Sequence, residues 1–407
     1  DAMRPLKLLQ SVDWPDSFRE RFIRQGKMPS PEYETIDITQ ALAAAASVRA
    51  LAGGDHVVFA WLRRQADTLE TTAHMLAGRG TKSFSVHSQT LFGTPTQFMI
   101  DRKTRVTDLA RHMDATLADL DIPKLVMDGY ETRMNSEDFA AQLRPLLTQQ
   151  FGSLSPEVLV SDDLAAKAVA STSRIRVRAD ASFTPRDVDQ LLQHEAFVHV
   201  ATGLNGRAQT EFPLLRRSHA GTTEIQEGLA VFAEMISGAM DPVRFRRLAD
   251  RVIAIQMSLD GADFTEVYGF YLERTHSPED AYENTRRIFR GGVLSGGAPF
   301  TKDMVYLNGL LRVHNFMRSV VKIGRADLIR LVFIGKLDLE DIPAFAFLAH
   351  HGQLTPPTFL PPWVKDLRFL VSYLAYSSFL NQVKMPGFQA YYEVALEDVP
   401  VIWDFAT

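Results

Sequence analysis

The sequence predicts an α-rich α+β fold, a core of helices flanked by a small mixed sheet. An N-terminal helical region at 1–130 precedes a second region at 131–407, and the two can form one continuous unit. Three observations lead there. Apolar residues at helical spacing dominate the first 130 residues, and short alternating runs occur only near 155–180. Beyond Thr184, helix-start signals alternate with loops rich in Gly and Pro.

Taken in order, ITQALAAAASVRAL, VVFAWLRRQADTLETTAHMLAG and RVTDLARHMDATLADL each show the periodicity of an amphipathic helix. Between the last two, SFSVHSQTLFGTP reads as an extended or irregular connection closed by Gly93 and Pro95. PEVLVSD predicts a short strand and DLAAKAVAS a short helix. In TSRIRVRADASF, Ile175 and Val177 alternate with Arg174, Arg176 and Arg178, the pattern of a half-exposed strand, placed here at a sheet edge. Thr184, Pro185 and Asp187 supply an N-cap, a first-turn proline and an acidic N3 for a helix running to Gly203. A second helix covers TTEIQEGLAVFAEMIS, and RFRRLADR reads as an exposed helix face. RGGVLSGGAPF lacks the ending of a phosphate loop and reads as a mobile loop bordering a cleft.

Composition narrows the function. A formal charge of −5 and a pI near 6.2 give no reason to expect nucleic acid or an anionic membrane as partner. No run of about 20 apolar residues offers a membrane span. Cysteine is absent, so any metal must use His, Asp or Glu, and the reducing cytoplasm is the default compartment.

The chemistry concentrates in QLLQHEAFVHVATGLNG. A hydrolytic zinc needs three protein ligands, an open position for water, and a carboxylate to take a proton. His194 and His199 are five apart, about 500° around an α-helix and roughly 140° out of register. Only a π-bulge, which absorbs one extra residue, brings both to one ion. The third ligand is expected from the next helix, where Glu227 precedes small Ala230 by one turn. Glu224 and Glu234 lie near the same face as candidates for holding the imidazole tautomers, with Glu224 also the reserve ligand. His219 is a further alternative, although RRSHAG reads as surface. The bland alternative is a polar helix face with satisfied histidines. A strand followed by a metal helix and a glutamate helix is what a zincin-like peptidase needs, because a strand can pair with an extended peptide.

Ile225-Gln226-Glu227-Gly228-Leu229-Ala230 contains the QEGLA signature of a family whose bacterial members are labelled flavohemoglobin expression-modulating QEGLA motif proteins. Its eukaryotic branch includes the microtubule-associated tyrosine carboxypeptidases. HEAFVH resembles the family's H-E-x-x-x-H, and Asn205-Gly206 with Gln209 resembles its N-G-x-x-Q segment, Thr210 replacing a usual proline. Arg290-Gly291-Gly292, Phe300-Thr301-Lys302-Asp303, Tyr306-Leu307 and Gly309 resemble a later block, and FGTP, GKLDLEDIP and PPTFLPP also look familial. The resemblance covers most of the chain. It implies a zincin-like metallopeptidase with one Zn2+ held by His194, His199 and Glu227, and Glu195 as general base and later proton donor.

The preferred reading is a zinc carboxypeptidase acting on a C-terminal residue, aromatic or tyrosine as candidates, of a peptide or protein. Such an enzyme must bind a free α-carboxylate, for which Lys302 and Arg290 are favoured over Arg286 and Arg274. Tyr306 is the candidate oxyanion donor, or else a core aromatic. The alternatives are a zinc aminopeptidase or endopeptidase, and a non-catalytic zinc-binding regulatory protein. The sequence leaves oligomeric state open.

Overall fold

A computed structural model describes residues 6–118, 120, 133–162, 164, 167–380 and 394. It is α-rich α+β, with many helices and one three-stranded mixed sheet among the described residues. The expected boundary at residue 130 lies outside them. None of the described helices is long and apolar enough to cross a membrane.

The helix that carries the histidines begins as its sequence dictates. The Asp187 amide donates to the Thr184 hydroxyl, and the Thr184 amide donates to the Asp187 carboxylate at 2.8 Å. After Pro185–Leu191 the chain leaves α geometry and winds as a π-helix over Leu192–Val200. It then returns to α over Ala201–Ala208 rather than stopping at Gly203. Gly203 is needed for packing instead, since a Cβ there would sit 2.3 Å from the Thr172 methyl.

Two apolar cores grip the π segment. Ala196, Phe197 and Val200 face a cluster built from Phe139, Leu143 and Leu147 of the Ser136–Phe151 helix and from the inner face of the sheet. Val198 belongs to a larger cluster with Ile225, Leu229 and Phe232 of the Ala220–Ser237 helix. Trp14, Phe22, Trp61, Val106 and Ala110 join that larger cluster from the N-terminal helices.

The sheet has the order β1 (Glu157–Ser161), β3 (Arg174–Arg178), β2 (Ala168–Ala170), with β1–β3 parallel and β2–β3 antiparallel. Two expectations are corrected here. β3 is the central strand, not an edge: its alternation reports one buried face, Ile175 and Val177, and says nothing about whether its backbone edges are paired. Ala168–Ala170, expected as helix, is β2, because pairing to β3 overrides the helical preference of alanine.

SFSVHSQTLF is also misread from sequence. Lys82–Phe92 is a helix whose Phe84 and Phe92 both meet the Phe300 ring, while Ser88 accepts from the Thr301 amide at 2.8 Å. Tertiary packing outweighs the weak propensities of Ser, Thr, Val and Phe. RGGVLSGGAPF is anchored at both ends rather than loose, with Gly291 and Phe300 buried and the Gly291 amide donating to the Tyr33 hydroxyl.

The glutamate helix Ala220–Ser237 crosses Met304–Lys322 at glycine against glycine: a Cβ on Gly228 would lie 2.2 Å from the Gly309 carbonyl carbon. The N-G-x-x-Q segment is likewise structural. Asn205 donates to the Phe333 and Phe359 carbonyls and accepts from the Thr358 and Phe359 amides. Gln209 accepts from the Thr355 amide and donates back to its carbonyl at 2.8 Å. Gly228→Ala should therefore lower unfolding stability by about 1–3 kcal/mol, the usual range for overpacking. Urea denaturation checks this, and an unchanged midpoint would refute the close crossing.

Candidate metal centre

The π-helix hydrogen-bond pattern returns every fifth residue to the same side. His194 and His199 consequently face one point, their ring centroids 5.0 Å apart. Glu227 reaches that point from the glutamate helix, its Oε2 lying 3.6 Å from His194 Nε2 and 3.8 Å from His199 Nε2. The three candidate ligand atoms lie within 4.8 Å of one another. These gaps are too wide for hydrogen bonds and close to the roughly 3.3–3.6 Å between tetrahedral ligands each about 2.0–2.2 Å from a zinc ion. The donor set of two imidazoles and one carboxylate also fits zinc.

Behind the ligands, Glu234 is fully buried and its Oε1 is 2.6 Å from His194 Nδ1. Arg244 closes on the same carboxylate with both Nε and Nη2, and the Gln190 amide, turned to satisfy both its atoms, accepts from Arg244 at 3.2 Å. This chain fixes the proton on Nδ1 and leaves Nε2 free for a metal. RFRRLADR is therefore exposed only in part, at Arg247. Arg244 pairs with Glu234, Asp250 with Arg274, and Arg251 is buried over the Tyr306 ring at 4.2 Å.

Electrostatics agree with a cation site. Burial pushes the His194 imidazole down, yet Glu227 and Glu234, helped by Glu195, raise it to about 10. Burial pushes Glu227 up, but both imidazoles and Lys302 hold it well below the usual carboxylate range. The negative field that retains a proton on His194 is the one a dication satisfies, so metal uptake must displace that proton.

Other candidates are sorted by position. Lys302 is buried and lines the cavity that Glu227 also lines, its Nζ 5.4 Å from the Tyr306 ring centroid. Tyr306 accepts from Arg287 at 3.3 Å and is not among that cavity's lining residues. Arg290 is buried against Phe300, and burial followed by the Arg287 charge lowers its guanidinium to about 10. It does not line the cavity. Glu224 points away from the imidazoles, its carboxylate held by Asn308 and Arg312. His219, read as surface, is only half-exposed and lines the cavity.

Two site residues were assigned no role from sequence. Lys336 is buried, and its Nζ donates to Gln226 Oε1 at 3.1 Å, where the Thr202 hydroxyl also donates at 2.9 Å. Burial lowers its ammonium to about 8, against the pull of Glu227 and Glu195. Arg244 is the other. GKLDLEDIP holds the only sequence signal for Lys336, and Arg244 has none.

The fold and the site together define a helical protein with a His-His-Glu group, set on a π-turn, that could hold a metal ion. The family described as microtubule-associated tyrosine carboxypeptidase matches residues 17–382, and the chain belongs to that family. No curated protein matches it. The family is one of carboxypeptidases, and the resemblance read from HEAFVH and QEGLA is to it.

Glu234→Gln should weaken metal binding by about 10–100-fold, the usual effect of losing a ligand's orienting partner. Chelator competition measures it, and unchanged affinity would free His194 from this orientation. Metal uptake at pH 7 should also release protons, since His194 holds one up to about 10; calorimetry in buffers of different ionisation enthalpy reads that number.

Proposed function

We propose that the chain is a zinc-dependent carboxypeptidase that removes a C-terminal residue, tyrosine being the favoured one, from a peptide or protein. The observation that carries the reading is the shared cavity: Glu227 of the His194–His199–Glu227 group and the buried cation Lys302 line the same space. A carboxypeptidase requires that pairing, because the scissile carbonyl and the terminal carboxylate lie one residue apart. The family name supports tyrosine as the residue removed.

Zinc bound there would polarise a carbonyl and acidify water. Glu195, adjacent to His194 and only partly buried, takes the proton of the attacking water and delivers it to the departing amine. Lys336 counters the accumulated negative charge of Glu195 and Glu227. Lys302 binds the terminal carboxylate. Tyr306, whose oxygen already accepts from Arg287, is the candidate O–H donor to the developing oxyanion, although it is not among the cavity's lining residues.

Glu195→Gln should keep its metal and lose about 10²–10⁴ in kcat on a peptide ending in tyrosine, the usual worth of general acid–base catalysis. Full activity in a metal-loaded Glu195→Gln protein would remove Glu195 from the role. Amidating the peptide's C-terminus should abolish cleavage by the unmutated protein; efficient cleavage of the amide would point to an endopeptidase.

A further inference from the structure

We infer that His219 reads the far end of the leaving residue, its ring N–H donating to a phenolic oxygen at the end of the cavity away from Glu227. The inference rests on the carboxypeptidase reading and adds a specificity-determining residue to it.

The cavity measures about 870 Å³. Glu227, Lys302 and His219 all line it, and Leu6, Leu9, Leu69 and Leu214 give much of its wall an apolar character. His219 stands immediately before the glutamate helix, and Glu227 lies two turns into it, so their Cα atoms are roughly 12 Å apart along the axis. Thr223, midway between them, lines the same cavity. A tyrosine residue spans roughly 7–8 Å from its amide nitrogen to its hydroxyl at standard bond lengths. It therefore fits between two side chains that project into this space from positions 12 Å apart.

The imidazole is held ready for that role. The His219 amide donates to Thr222 Oγ1 at 3.2 Å, and its carbonyl accepts from the Thr222 and Thr223 hydroxyls at 3.1 and 3.0 Å. Nδ1 is enclosed and has no hydrogen-bond partner. An enclosed N–H without an acceptor costs more than an enclosed lone pair, so the proton belongs on Nε2. His219 lines the cavity and its Nδ1 is shut away, so the remaining polar edge, Nε2–H, is the one available to a ligand. Burial, opposed by Asp338, lowers the imidazole to about 4, so the donor is neutral at physiological pH. A neutral donor in a largely apolar pocket rewards a substrate oxygen and leaves a ring without one unmatched.

The test measures binding and turnover side by side in zinc-loaded protein, on two peptides identical except for C-terminal tyrosine or phenylalanine. Binding is measured in the Glu195→Gln background, and metal content confirms an intact site. The tyrosine peptide should bind at least tenfold more tightly. His219→Leu should bring that ratio close to one, and His219→Gln, which retains an N–H donor, should recover part of it. An unchanged ratio in His219→Leu, or an equal loss for both peptides, overturns the inference; if the leucine variant loses metal, the glutamine variant decides on the same ratio. Discrimination in binding without cleavage by the unmutated protein would sink the peptidase reading and leave His219 in place. Equal cleavage and equal binding of both peptides would do the reverse.

Discussion

One extra residue between His194 and His199 governs the site. An α-helix would point the two rings roughly 140° apart, and only the π-turn aligns them. That turn has poorer backbone hydrogen bonding than the α-helix on either side, so it persists only where its surroundings dictate it. The surroundings are two apolar cores. Phe197 and Val200 are held by the sheet and the Ser136–Phe151 helix, while Val198 is held by the glutamate helix. Shifting the turn by one residue would rotate these faces out of their two cores and turn apolar side chains toward the His194–His199–Glu227 group. The small sheet therefore matters here as one jaw of a clamp.

Depth is set separately from alignment. Glu227 meets the histidines because its helix sinks against Met304–Lys322 until backbone meets backbone at Gly228 and Gly309. The same crossing brings Glu224 to Asn308 and Arg312 and so takes it away from the two histidines. Gln226, beside Glu227, ties the glutamate helix to the Ala201–Ala208 helix and to the loop at Lys336 through one oxygen that accepts from both Thr202 and Lys336. QEGLA thus reads as three jobs in one turn: a cross-link, a candidate ligand and a close approach.

The grouping of His194, His199 and Glu227 was legible in sequence because its constraint is local. A spacing of five and a glutamate one helix later leave few geometries that share an ion. Glu234 was legible for a related reason: seven residues from Glu227 on a helix is only about 20° out of phase, whereas Glu224, three residues before, is about 60° off. The failures share another cause. β3 at the centre, the helix at Lys82–Phe92 and the paired or buried arginines of RFRRLADR all depend on partners distant in sequence. Alternation and propensity describe a segment's own faces, and they do not say which neighbour covers them. Lys336 and Arg244 escaped for this reason, each meeting the site from an element with no metal-like spacing of its own.

Charge near the cleft is sorted by how completely each cation is already answered. Arg287 is spent on Asp303, which it grips through two bonds at 2.6 and 2.9 Å, and Arg244 is spent on Glu234. Arg290 is buried against Phe300 away from the cavity lining. Lys302 differs from all of these, since it borders open cavity while its neighbour Asp303 is committed to Arg287. A buried ammonium at a cavity wall is costly unless an anion arrives there. That cost is reduced beside Glu227, which supplies part of the missing negative charge. The arrangement ties Lys302 to the charge balance of the His194–His199–Glu227 group, so a change at Lys302 should be felt at Glu227.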